Sequence, residues 1–117
     1  LSKIFVMASK IEGIPCAMME AMACELYPIV PDIADIADVV SETTGTLLPN
    51  TFDTSDLAVA IDTALFNWNN NESIRKAARR NIVKFHSYTS ATHSWNEIIS
   101  NFFNITAYEN ETWGFSN

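Results

Sequence analysis

The 117-residue chain is 48% hydrophobic and 18% charged, which excludes a disordered tail and supplies enough apolar material for one buried core. Fourteen Asp and Glu against seven Lys and Arg give a net charge of −7, which argues against nucleic acid as a partner. No apolar run approaches the roughly 20 residues that span a bilayer, and no signal-peptide pattern is visible.

The first element is the apolar run from Ile4 to Ala8, expected as a short strand buried on both faces. The loop Ser9-Lys10-Ile11-Glu12-Gly13-Ile14 follows. Pro15 suits the first turn of a helix that reaches about Cys24, and Gly13 gives a permissive backbone just ahead of it. A helix starting there leaves the N–H groups of Cys16, Ala17 and Met18 without intrahelical acceptors. Those donors and the positive end of the helix dipole favour an anion such as a phosphate. Glu20 falls between one and two turns in, roughly 7 Å along the axis. Among Ala, Met and Cys neighbours its carboxylate is costly to desolvate unless hydrogen bonds are donated to it. Glu12 lies before the turn, so the order is acceptor, anion hole, acceptor. That order suits a polyhydroxylated anion, against the plainer alternative of a structural Glu20 and a solvated Glu12. Met18, Met19 and Met22 are expected in the core. Cys16 and Cys24 lie roughly 12 Å apart along the helix, beyond disulfide reach, and are expected as buried free thiols.

Next come a strand at Ile29-Val30, a short helix over Ile36 to Ser41 and a strand over Thr46 to Leu48. The Asp32, Asp35 and Asp38 series lacks the glycine and closing glutamate of a calcium loop and reads as a solvated loop. Thr54 or Ser55 is expected to cap a helix running to about Trp68. Asn69 to Asn71 form a loop, and Glu72 to Phe85 the next helix, with Ile74, Ala78, Ile82 and Phe85 inward. Its cations Arg75, Lys76, Arg79, Arg80 and Lys84 read as a solvated face, the sharper alternative being a patch for anionic lipid. Ser90 to Phe103 is the last helix, with Trp95, Ile98, Ile99 and Phe102 on one stripe. Strand–helix–strand order calls for a parallel sheet with right-handed crossovers, here with an exposed edge. Residues 1–105 are read as one unit and 106–117 as a polar, mobile tail. His86 and His93 show no metal-ligand spacing. The N-x-S/T sequons at Asn71, Asn104 and Asn110 read as chance in an Asn-rich chain.

The run Ser9 to Cys24 also resembles the E-x7-E signature of retaining glycosyltransferases of family 4, which have the GT-B fold. Ser9, Glu12, Gly13, Pro15, Glu20, Ala21, Met22 and Ala23 match, and Pro28-Ile29-Val30 resembles the strand that follows. The likeness continues more weakly through Asp32, Asp38, Gly45 to Leu48, Asp56 to Ile61 and the Trp95 segment. The implied fold is α/β: a partial Rossmann-like GT-B C-terminal domain, a parallel sheet flanked by helices with a helical C-terminus. By resemblance, Glu20 binds the donor ribose, and Glu12 contacts the donor sugar and is the catalytic candidate. The turn Gly13, Ile14, Pro15, Cys16 and Ala17 lies beside the diphosphate. The implied reaction moves a sugar from a nucleotide-sugar donor to an acceptor hydroxyl with retention and with no metal or other cofactor. Positioning and stabilisation of the diphosphate leaving group would carry it. The implied acceptor is a sugar or a lipid-linked sugar, and the implied setting is the cytoplasm, with peripheral contact at the inner membrane face.

Two departures stand out. Glu25 occupies the position where the family has a helix-ending glycine, so the turn there should be strained or should end differently. Asp38 is a shorter substitute for a family glutamate. The family also places an Arg and a Lys on the diphosphate from strands upstream of this motif, and neither Lys3 nor Lys10 holds the matching position. The chain is therefore expected to be the back half of a donor-binding domain, inactive without an acceptor domain. A non-catalytic remnant and a GT-B nucleotide-sugar epimerase are the alternatives.

Overall fold

The structure, a computed structural model, describes residues 2–103; the expected tail over 106–117 lies outside the described residues. Three parallel strands form one sheet in the order β1-β2-β3: β1 (Ile4–Val6), β2 (Tyr27–Pro31) and β3 (Thr46–Leu48). The helices are α1 (Cys16–Ala23), the 3-10 helix α2 (Ala34–Asp38), α3 (Thr54–Phe66), α4 (Glu72–Phe85) and α5 (Tyr88–Phe103). The α/β class expected from strand–helix alternation is the one found.

Alternation along the central strand sorts the core into two layers. Val30 faces Met18 and Met22 of α1, Ile36 of α2, and Ala78 and Ile82 of α4. Tyr27 and Ile29 face the other way, onto Ala64, Ala60, Leu57 and Ile61 of α3. All five residues of β2 are buried, as a strand covered on both faces requires.

β2 carries two prolines, which a central strand normally excludes because proline cannot donate to the ladder. The register explains the exception. Along β2 the amides alternate sides: Tyr27 donates to the Lys3 carbonyl and Asp32 to the Leu48 carbonyl. By that alternation Pro28 faces β3 one residue before its start, and Pro31 faces β1 beyond its end. Neither removes a ladder bond. Pro28 instead fixes its neighbour: a Cβ on Gly45 would lie 2.4 Å from Pro28 Cγ and 2.7 Å from its carbonyl oxygen.

Several expectations need correcting. β1 stops at Val6 rather than Ala8 and is not buried on both faces: Ile4 and Phe5 are half-buried and Val6 is exposed. As the outer strand it has a neighbour on one side only among the described residues. The short helix falls at Ala34–Asp38, not Ile36 to Ser41. Asp53, rather than Thr54 or Ser55, caps α3: its carboxylate accepts the Ser55 and Asp56 amides at 2.7 and 3.0 Å, while Asp56 Oδ2 accepts the Asp53 amide at 3.0 Å. This reciprocal box satisfies donors at both positions. α3 ends at Phe66, and Trp68 lies beyond it, with the Arg75 guanidinium 3.7 Å from its ring centroid and Lys3 Nζ 5.3 Å away. Phe85, in the last turn of α4, is exposed rather than inward, next to Lys84. α5 begins at Tyr88, and its stripe is a surface feature: Trp95 is 62% exposed, Ile98 54% and Ile99 44%.

α4 ties the layers together. Ala78 and Ile82 fill the core while Arg79 donates to the Ala23 carbonyl at the end of α1, and Asn81 donates to the Val39 carbonyl at 2.9 Å. A guanidinium at a helix C-terminus is matched to the negative end of the dipole.

Candidate donor site at the start of helix α1

β1 delivers the chain into the loop 7–15, and α1 turns back from it against the sheet. A site at the carboxyl end of a parallel strand and the amino end of the next helix is where open α/β sheets bind ligands. Pro15 is the N-cap, one position earlier than expected, with extended φ and ψ of −72° and 123° and no side-chain cap. Its carbonyl accepts the Met18 amide at 3.1 Å and the Met19 amide at 3.3 Å. Met18 is therefore not one of the open donors that the sequence suggests. The amides of Cys16 and Ala17 have no hydrogen-bond partner among the described residues.

The helix face decides the rest. Met18 and Met22 are fully buried, one turn apart. Glu20 is two residues from each, about 200° round the helix, and points to solvent. The expectation of a carboxylate held in an apolar setting is thus corrected: the apolar neighbours in sequence turn inward and leave Glu20 outside. The same geometry overturns the expectation of buried thiols. Cys16 and Cys24 are free but exposed, on the same stripe as Glu20 at intervals of four residues. Glu12 is also exposed, on the loop. Neither Glu12 nor Glu20 makes an ion pair or side-chain hydrogen bond within the described residues. Gly13, Ile14, Cys16 and Ala17 are exposed and Pro15 half-buried, so the whole turn is accessible.

Gly13 and Gly45 differ in a telling way. A Cβ at Gly13 would meet nothing within 4 Å, and its φ is not positive. Nothing in the chain's own packing demands glycine at 13, whereas Pro28 demands it at 45.

At its other end α1 closes with Glu25 in the left-handed region, φ 61°. The Glu25 amide bonds to the Met22 carbonyl at 3.0 Å and the Leu26 amide to the Ala21 carbonyl at 3.0 Å. That is the Schellman pattern, formed without its usual glycine. Lys3, one of the two cations near the motif, is taken up by Trp68, while Lys10 stays exposed. Sequence reasoning missed Arg79, which holds α1 in place; the signal was its i+4 spacing from Arg75 beside the inward Ala78, read there only as a charged face. Among the described residues no group of three or more His, Cys, Asp or Glu is placed to hold a metal ion, and no helix is long and apolar enough to cross a membrane.

Among curated proteins none matches. Of solved structures, a sucrose-phosphate synthase from Thermosynechococcus elongatus overlays with a TM-score of 0.74 at 24% identity, over 86% of this chain and 25% of that one. The chain thus spans about a quarter of that structure's length, and the likeness establishes the fold. The family model of glycosyl transferases group 1 matches residues 1–81, from β1 into α4. The chain belongs to the glycosyl transferases group 1 family.

Proposed function

We propose that the chain forms part of the donor-binding half of a retaining glycosyltransferase that moves a sugar from a nucleotide-sugar to an acceptor hydroxyl without a metal. The observation that carries this reading is the start of α1. Two unengaged amides, those of Cys16 and Ala17, share one accessible surface with Glu20, four residues after Cys16, and follow directly on Gly13. The amides and the helix dipole suit the diphosphate, and Glu20 is a hydroxyl acceptor at the reach of a ribose. Glu12 is the acceptor on the sugar side. The open space around Gly13 supports close approach of a ligand to the backbone, since nothing in the fold requires glycine there.

In this reading the chain binds and orients the donor and stabilises negative charge as the diphosphate departs. The acceptor, a sugar or lipid-linked sugar, is met by a second domain. The test separates two carboxylates in the whole enzyme. Glu20→Gln should weaken binding of the matching nucleoside diphosphate (UDP, GDP and ADP tried in turn) by about tenfold, the scale of one charged hydrogen bond. Glu12→Gln should lower kcat with nucleotide affinity kept. Equal nucleotide affinity in the wild type and Glu20→Gln would refute the assignment.

A further inference from the structure

Five of the seven Lys and Arg residues lie on α4. Four have partners within the chain: Arg75 stacks on Trp68, Lys76 pairs with Glu72 at 2.6 Å, Arg79 donates to the Ala23 carbonyl, and Lys84 Nζ lies 4.6 Å from the Phe85 ring centroid. Arg80 and Lys84 have no carboxylate partner among the described residues, in a chain whose net charge is −7. Lys84 lines a hollow of about 530 Å³ where α4 meets α5, together with Val83, Ser87, Thr89, Ser90 and His93. Val83 and Lys84 also border the adjoining depression that holds Arg79 and Arg80.

We propose that this groove is a second binding site, for a phosphate monoester, separate from the donor site. A phosphate monoester offers several acceptor oxygens and a concentrated negative charge, which suits Lys84 among hydroxyl donors with Arg80 in the depression that adjoins it. Ser87, Thr89 and Ser90 supply the hydroxyls; Ser87 Oγ already accepts the Ser90 amide at 3.2 Å, which leaves its O–H to donate outward. No carboxylate lines the groove. The nearest on α5 is Glu97, exposed and 3.7 Å from His93 Nε2. The donor site is elsewhere: Arg79 marks the carboxyl end of α1, roughly 10 Å along that helix from Cys16.

Two sources present this chemistry, a soluble phosphorylated compound and a phosphatidate headgroup. Inorganic phosphate is titrated into the full chain at fixed pH while the His93 imidazole resonances are followed. A saturable His93 shift in the millimolar range is expected, weakened about tenfold in the Arg80→Gln/Lys84→Gln double variant and unchanged in Lys76→Gln. Co-sedimentation with phosphatidate-containing phosphatidylcholine vesicles, competed by inorganic phosphate, would assign the headgroup as source. A His93 response without vesicle binding would assign a soluble phosphate ester. A His93 shift that does not saturate, or one equal in the double variant, overturns the proposal. Nucleoside diphosphate binding read at the Cys16 and Ala17 amides is unaffected by either result, so this site and the donor site stand or fall separately.

Discussion

Glu25 shows how a single residue can hold a conformation that its side chain opposes. At φ 61° it closes α1 with both Schellman bonds, where a non-glycine residue costs roughly 1–2 kcal/mol. Its ion pair with Arg79, 3.9 Å and largely solvated, returns little of that. Glu25→Gly should therefore raise stability by about 1 kcal/mol, read as a higher urea midpoint with an unchanged slope. The two glycines give the complementary pair. Gly45→Ala should lower the midpoint markedly, because the new methyl meets Pro28 ring and backbone. Gly13→Ala should leave stability within about 0.5 kcal/mol and reduce nucleotide affinity instead. At Asp53 the Ser55 hydroxyl, then the Asp56 and Ser55 amides, hold the carboxyl below its ordinary range. A depressed carboxylate stabilises the fold above the unfolded value and loses that contribution as pH falls through the folded one. Melts of Asp53→Ala should accordingly lie below the wild type at neutral pH and converge with it in acid.

At the scale of elements, local chemistry was legible where period and capping acted alone. β3 and the helix over Glu72–Phe85 fall at the expected residues, because Thr46–Leu48 and the Ile74, Ala78, Ile82 spacing admit no competing pattern. Burial was less legible. The composition of α1 suggests a helix apolar all round, yet only Met18 and Met22 are fully buried, with Met19 and Ala23 packed beside them, since a helix laid on one face of a sheet has one inward stripe. The stripe on α5 is read as a stripe and lies at the surface, since periodicity reports a face and not what covers it. Trp68 was expected as the last residue of a helix. It serves instead as a platform for Arg75, which also donates to the Trp68 carbonyl at 2.7 Å and so joins α4 to the end of α3. Removing both contacts with Arg75→Ala should cost about 1–2 kcal/mol, measured by the same urea midpoints, with nucleotide affinity unchanged.

For the whole molecule, three short strands and the helices packed on both faces serve to present one turn, Glu12 to Glu20, at the carboxyl end of β1. The motif was legible in the sequence because its spacing is set by a loop and the first turns of one helix. Its surroundings were not, since exposure depends on which way α1 rolls against β2 and α4. If the opening amides of α1 receive the diphosphate of a nucleotide, amide-resolved NMR during titration with the matching nucleoside diphosphate will report it at those residues. Saturable shifts should be largest at Cys16, Ala17 and Glu20, with Met18 moving less because its amide already bonds to Pro15. Saturable binding that shifts residues elsewhere and leaves Cys16 and Ala17 unmoved would contradict it.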